Sequence, residues 1–271
     1  MDYFTAHQVT EKIKRISTPF GVCMYLVEGR ESALLLDTGM GCGDLKGFID
    51  SICYKPYQVL LSHGHCDHAG GSAQFDEVYM HYADLELEKQ HCALEKRIDE
   101  IKNAPLPPPK KWREEDMITS RDTPYKKLSE GMVFDLGDVS VEIIEVPGHT
   151  HGQLVFLVSD EKTAIFGDAC GVHTLLHFPE STTIKEYYES LLHLKLYEHK
   201  FDRILRFHGS FESPKELMNN NIELCEDIIA GTDAKIDAEY HGFKCMIGRN
   251  ESLDSIQIKA GNIMYNPDRI L

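Results

Sequence analysis

A chain of 271 residues with a formal net charge of −16 can bury one sizeable core and shows no basic patch for nucleic acid. No apolar run is long enough to cross a bilayer, which argues against a membrane partner. The eight cysteines have no repeated spacing and no C-x-x-C pair, and no secretory signal opens the chain, so free thiols in a reducing cytoplasm are expected.

In chain order, Val9–Ile16 and Val22–Glu28 read as short strands. Ser32–Asp37, with Ala33-Leu34-Leu35-Leu36, reads as a buried strand, and Asp37-Thr38-Gly39 follows it. Asp44–Cys53 predicts a helix with Leu45, Phe48, Ile49 and Ile52 on one face. The apolar run Tyr57–Leu61 predicts a buried strand. Behind it comes Ser62-His63-Gly64-His65-Cys66-Asp67-His68, closed by Ala69-Gly70-Gly71. This places His63, His65, Asp67 and His68 on a glycine-punctuated loop at a strand's carboxyl edge, where catalytic loops of layered α/β proteins tend to lie. Imidazole and carboxylate suit zinc, iron and manganese. A surface loop that happens to be rich in histidine is the bland alternative, and a stripe of core histidines could not make this spacing. Val78-Tyr79-Met80 reads as a further strand.

Residues 82–130 break the alternation. Tyr82–Lys102 has helical periodicity, with Leu85, Leu87, Cys92, Leu94, Ile98 and Ile101 spread among charged residues. Pro105-Leu106-Pro107-Pro108-Pro109 cannot continue a helix, and Lys110-Lys111-Trp112-Arg113 holds the only tryptophan. This insertion either shapes a substrate pocket or forms a solvated helical hairpin that packs on a neighbouring subunit, which leaves a homo-oligomer open.

The layered logic then resumes. Gly131–Leu136 and Val139–Val146 predict a hairpin around Gly137-Asp138. Pro147-Gly148-His149-Thr150 follows. Leu154–Val158 and Ala164–Phe166 read as buried strands, the second leading to Gly167-Asp168. Thr183–His199 reads as a helix with Leu191, Leu192, Leu194 and Leu196 as core. Asp202–Phe207 is a strand leading to His208. Ser213-Pro214-Lys215-Glu216 looks like a capped helix start, continued through Leu217, Ile222, Leu224, Ile228 and Ile229. The tail carries strand-like runs at Phe243–Ile247 and Ile256-Gln257-Ile258. No strong linker divides the chain, so residues 1–271 read as a single domain.

The pattern H-x-H-x-D-H resembles the metal signature of the metallo-β-lactamase superfamily. Pro147-Gly148-His149-Thr150, Phe166-Gly167-Asp168 and Leu205-Arg206-Phe207-His208-Gly209 stand, in order, where the rest of that family's ligand set is expected. The resemblance runs from about the first strand to His208. It implies an α/β fold, the αββα four-layer sandwich, with the insertion near 82–130 as a lid. Position by position, it implies that His63, His65 and His149 hold a first metal, and Asp67, His68 and His208 a second. Asp168 would bridge the two.

Two divalent ions are thus expected, zinc first, with iron or manganese as alternatives. The implied reaction is hydrolysis of a small ester, thioester or lactone by a metal-bridging hydroxide. Asp67 and Asp168 would be catalytic as well as ligating, Asp67 by orienting or shuttling a proton. His65 stands where the redox di-iron branch usually has Glu. A mononuclear-iron persulfide dioxygenase remains the alternative, as does a phosphodiesterase, which fits the ligands but not the charge. A sensor with a purely structural metal is a third class, which the full ligand set disfavours.

Candidates around this set are weighed the same way. Asp37 is expected to hold the backbone of the metal loop rather than to ligate. Cys66 and Cys170 are expected to pack, and His151 to face away from His149. His173 and His177 are placed on a loop after Asp168, as satisfied histidines or as substrate contacts. Lys110, Lys111 and Arg113 could hold a substrate carboxylate, and Tyr79, Tyr82, Tyr187 and Tyr188 are candidates for a tyrosine near the metals.

Overall fold

The computed structural model describes residues 3–104, 108–110, 112–250 and 261–271. Pro105-Leu106-Pro107, Lys111 and Ile256-Gln257-Ile258 lie outside the described residues. The chain divides into two compact units, Met1–Val141 and Glu142–Leu271.

The first unit is built on a seven-stranded mixed sheet whose strands lie in chain order. β1 (Thr5–Gln8), β2 (Ile13–Ser17), β3 (Cys23–Glu28) and β4 (Ala33–Leu36) run antiparallel. β5 (Tyr57–Leu60), β6 (Val78–Met80) and β7 (Lys126–Lys127) continue the sheet in parallel. Of the run predicted as one strand over 9–16, residues 13–16 lie in β2 and residues 9–12 form a turn that feeds it. The Thr10 hydroxyl accepts from the Ile13 amide at 3.1 Å, a local bond that competes with ladder pairing.

Helix α1 (Leu45–Ile52) crosses between the parallel strands β4 and β5. Asp44 caps it, its carboxylate accepting from Gly47 N at 2.8 Å, and Leu45 and Ile49 are buried. β4 is buried at every residue, as its unbroken Ala-Leu-Leu-Leu run requires. The core joins Leu26, Leu35, Val59, Leu61 and Val78 to Leu45 and Ile49. β5 delivers the chain to the short helix α2 (Cys66–Ala69).

The helix predicted over Tyr82–Lys102 is two helices, α3 (Leu85–His91) and α4 (Leu94–Asn103). The break at Cys92-Ala93 is held by side chains. The Cys92 carbonyl accepts from Arg97 Nε at 3.0 Å and from the Ser120 hydroxyl at 3.1 Å, so it is satisfied without helical continuation. β8 (Val133–Asp135) turns at Gly137 (φ 102°) into β9 (Ser140–Glu145).

The second unit carries β9, β10 (Leu154–Val158), β11 (Thr163–Ile165), β13 (Arg203–Leu205) and β14 (Glu212–Ser213) in the order β14-β13-β11-β10-β9. A four-stranded sheet has the order β12-β17-β16-β15, from β12 (His173–Leu176), β15 (Ile236–Tyr240), β16 (Phe243–Ile247) and β17 (Asn262–Tyr265). The segment expected as a loop after Asp168 is therefore in part a strand, since residues 173–176 pair in parallel with β17.

Helix α5 (Ile184–Lys195) opens with a reciprocal capping box between Thr183 and Glu186. Its core face is Ile184, Tyr187, Leu191 and Leu194. Leu192 and Leu196, expected as core, are exposed, because helical periodicity turns them away from that stripe. Helix α6 (Glu216–Ala230) ends at Gly231 in the left-handed region. Ser213 does not cap it but pairs with Ile204 in β14. Among the described residues no helix is long and apolar enough to cross a membrane.

Candidate metal centre

In the first unit, the strand-to-helix turn after β5 sets the ligand geometry. Gly64 N donates to Asp84 Oδ2 at 2.9 Å, and a Cβ on Gly64 would come within 2.9 Å of the Asp84 carbonyl oxygen. Gly70 and Gly71 are needed more strictly. A Cβ there would lie 2.4 Å from the Cys66 carbonyl oxygen and 2.2 Å from that of Thr38. The loop after β4 therefore lies directly against the metal loop, and Thr38 N donates to the His68 carbonyl at 2.7 Å.

Asp37 organises this half, as expected. It is fully buried and sits at φ 67°, a region that Asp tolerates better than most residues. Its Oδ1 accepts from Ser62 N at 2.6 Å. Its Oδ2 accepts from Ser62 Oγ at 2.7 Å and from His68 Nδ1 at 2.7 Å. Burial pushes its carboxyl pKa up, against the opposing pull of His68 and Ser62. Ser62 spends its only proton on Asp37, so the 3.0 Å contact between Ser62 Oγ and His63 Nδ1 is donated by the ring. His63 and His68 are thus both held with Nδ1 protonated and the lone pair on Nε2, the usual arrangement behind a metal-ligating histidine.

His63 Nε2 lies 3.1 Å from His65 Nδ1, near the ~3.3 Å expected for two imidazoles on one tetrahedral ion with bonds of ~2.0–2.1 Å. Asp67 Oδ2 lies 3.5 Å from His68 Nε2, and its side chain is 34% exposed. The donor set therefore fits a divalent cation. Cys66 packs into the core, as expected, and burial raises its thiol pKa.

The second unit brings together the other three candidates. His149 is buried, and its Nδ1 donates to the Leu175 carbonyl at 2.8 Å, so its lone pair is on Nε2. That Nε2 is 3.8 Å from Asp168 Oδ2, and His208 Nε2 is 3.5 Å from the same oxygen. One carboxylate oxygen between two imidazoles is a second arrangement suited to a cation. The Pro-Gly-His turn is tight because Gly148 lies on Tyr187, where a Cβ would come within 2.4 Å of the ring. Ser181 Oγ clamps the His149 carbonyl at 2.9 Å.

The surrounding candidates divide. Cys170 and Tyr187 are core, and Tyr188 is spent on Glu226 at 2.8 Å. Tyr79 accepts from Gln58 at 3.0 Å, and Tyr82 donates to the Tyr125 carbonyl at 3.2 Å. His151 is exposed where His149 is buried. Arg113 is engaged by Asp116 and Glu115 at 2.9 and 2.8 Å, and Lys110 is exposed. His173 opens β12, and His177 is buried against Phe178.

Three residues near the loop carry no mark in the sequence. Asp84 holds Gly64. His91, at the end of α3, stacks on His65 with ring centroids 5.0 Å apart. Arg97 is fully buried and donates to the carbonyls of Met40 and Gly70 at 3.1 Å and of Ile118 at 2.8 Å.

Comparison with known proteins assigns the family. The metallo-beta-lactamase superfamily profile matches residues 17–201, more than half of the chain. The chain belongs to the metallo-beta-lactamase superfamily. The matched span holds six of the seven expected ligands, and His208 lies beyond it. The superfamily's α/β fold, with mixed sheets and flanking helices, accounts for the element order.

Among curated relatives, acyl-coenzyme A thioesterase MBLAC2 of Bos taurus is 27% identical over 180 residues, and its Homo sapiens counterpart 26%. Those alignments cover 60% of this chain and 63% of the relatives, so the chain matches less than two-thirds of their length. An uncharacterized protein of Mycobacterium tuberculosis is 32% identical over 145 residues, covering 49% of this chain and 60% of that one. Among solved structures, a metallo-beta-lactamase from Pontibacter korlensis has a TM-score of 0.58 at 17% identity, covering 81% of this chain and 97% of that one. A sec-alkylsulfatase from Pseudomonas sp. has a TM-score of 0.65 at 14% identity, covering 84% and 42%. These two show the fold alone. Superfamily membership and the histidine cluster together mark a candidate metal site in this fold.

Proposed function

We propose that this chain is a dinuclear metallohydrolase that cleaves a small ester, thioester or lactone. His63, His65 and His149 hold one divalent ion in this reading, and Asp67, His68 and His208 the other. Asp168 is shared. Zinc is the first expectation, with iron or manganese as alternatives. The observation that carries the proposal is the common state of His63, His68 and His149, each with Nδ1 tied by a hydrogen bond and so with its lone pair on Nε2. A metal-ligating histidine almost always carries such a tether on its other ring nitrogen. When bound, a pair of divalent ions supplies Lewis acidity and an activated water.

The chain's own residues then orient the ions and manage the proton. Asp67 is the partly exposed carboxylate beside His68 Nε2, placed to hold or pass a proton. Asp168 keeps His149 and His208 on one oxygen. The thioesterase name of the curated relatives supports a thioester within this substrate range.

The test is elemental analysis of protein purified without added metal, followed by assays on thioesters, lactones and phosphodiesters. Two ions per chain with ester or thioester turnover is the expected result. Asp168→Ala should lower metal content and reduce kcat/KM on the order of 100-fold or more. One iron per chain with oxygen consumption on a persulfide would move the protein to the oxidoreductase branch. Full activity in Asp168→Ala would end the dinuclear reading.

A further inference from the structure

The second unit carries a chain of aromatic rings that begins at a ligand candidate and ends in solvent. Phe178, half-buried, meets His149 nearly edge-on with ring centroids 6.0 Å apart. Phe243 meets Phe178 edge-on at 5.8 Å and 88°. His177 meets Phe178 at 4.2 Å with the rings tilted by 36°, and Tyr240 lies 5.9 Å from His177. Tyr240 and Phe243 are partners in register across the tip of the β15–β16 hairpin. The two residues between them, His241 and Gly242, have φ 49° and 80°, the sign a tight two-residue hairpin turn requires at both positions.

A turn of this kind would be satisfied by polar residues, yet its flanks are a tyrosine and a phenylalanine. Phe243 is 41% exposed, so its ring is in part open to solvent. The ring chain is too small for a protein partner, since specific interfaces bury on the order of 800 Å² per side. It is continuous with the metal ligand set, and Glu239 and Lys244, paired in register one step further along, give it a polar edge. Burial pushes the His177 pKa down, against backbone contacts with Tyr240 and Met264.

We propose that the β15–β16 hairpin tip, through Phe243 and Tyr240 backed by Phe178, binds the apolar acyl portion of the substrate. The enzyme would then select medium-length acyl groups over acetyl. This rests on the hydrolase reading above and narrows its substrate class. An acyl carbonyl activated beside His149 has its hydrocarbon tail within reach of Phe178, and each further methylene lies along rings rather than in water. Burying a methylene strengthens binding about fourfold.

The test uses the full chain loaded with metal and two readouts. The first is equilibrium binding of the straight-chain carboxylates from acetate to octanoate. The second is kcat/KM on the matching thioester series. Wild-type affinity should rise by about fourfold per methylene over part of the series. Phe243→Ser should lower the octanoate-to-acetate affinity ratio by roughly tenfold. Phe243→Leu, which keeps apolar bulk without the ring, should fall between. A wild type that binds octanoate no better than acetate would overturn the proposal, and so would a Phe243→Ser protein that keeps the full chain-length dependence. If the binding slope and its loss are seen but no ester, thioester or lactone is turned over, the acyl surface stands and the hydrolase reading fails.

Discussion

Asp37 determines which nitrogen His68 can offer. Three donors converge on its carboxylate: the Ser62 amide, the Ser62 hydroxyl and the His68 Nδ1–H. Asn at this position keeps the shape and tolerates the φ of 67°. It can still accept from the Ser62 amide, but its NH2 group would face the other two donors. His68 would then be driven to accept at Nδ1 and carry its proton on Nε2, the nitrogen proposed to bind metal. Asp37→Asn should therefore weaken binding of one metal by about 10–100-fold, measured by competition with a chromogenic chelator, while the fold persists. Unchanged affinity for both ions would mean that the tautomer is not set from Asp37. The ligand candidates were legible in the sequence because three histidines and an aspartate inside six residues have no other economical explanation. Asp84 and His91 were not, because one acidic residue and one histidine in a charged, helix-forming stretch look the same whether they face solvent or a loop. Only the fold brings Asp84 Oδ2 to Gly64 N, 20 residues away.

Helices α3 and α4 show the same limit for whole elements. Their hydrophobic periodicity is helical throughout, so the stretch reads as one helix. The break at Cys92 comes from a long-range arrangement: Arg97 turns inward and donates to carbonyls contributed by the loops after β4 and α2 and by Ile118. Burial holds its guanidinium pKa below the usual range, yet it remains the shared donor for these carbonyls. Replacing it with Met keeps bulk and removes every donor. Arg97→Met should cost about 2–4 kcal/mol of stability, since each buried carbonyl left without a donor costs ~1–3 kcal/mol. Urea unfolding checks this, and a loss below ~0.5 kcal/mol would show that the carbonyls find other donors and that α4 is not pinned. Local chemistry likewise accounts for the turn at Thr10, where a strand was expected. By contrast α1, β4 and β5 were read closely from sequence, because their burial is set by neighbours in the chain: a capping Asp44, a two-residue apolar face, the unbroken Ala-Leu-Leu-Leu run of β4 and the Val59-Leu60 pair of β5.

At the scale of the whole molecule, a net charge of −16 bears on substrate choice more than on fold. Two divalent ions would leave the protein strongly negative. A coenzyme A thioester carries several phosphate charges and must approach against that field, whereas a neutral lactone need not. Raising ionic strength from ~10 mM to ~150 mM shortens the Debye length from about 30 Å to about 8 Å. If a coenzyme A thioester is accepted, its kcat/KM should rise by roughly threefold or more over that range, while that of a neutral lactone should change by less than about twofold. The paired measurement separates screening from any general effect of salt on the enzyme. A fall with salt for the thioester alone would mean that a local cluster of cations holds the anionic group and outweighs the global field. Lys110 would be the first residue to replace, because it is exposed, whereas Arg113 is already engaged by Asp116 and Glu115. A rise instead would favour thioesters of small, weakly charged thiols as the better substrates, since the protein then offers the acyl group apolar cover at the β15–β16 tip and offers the coenzyme only repulsion.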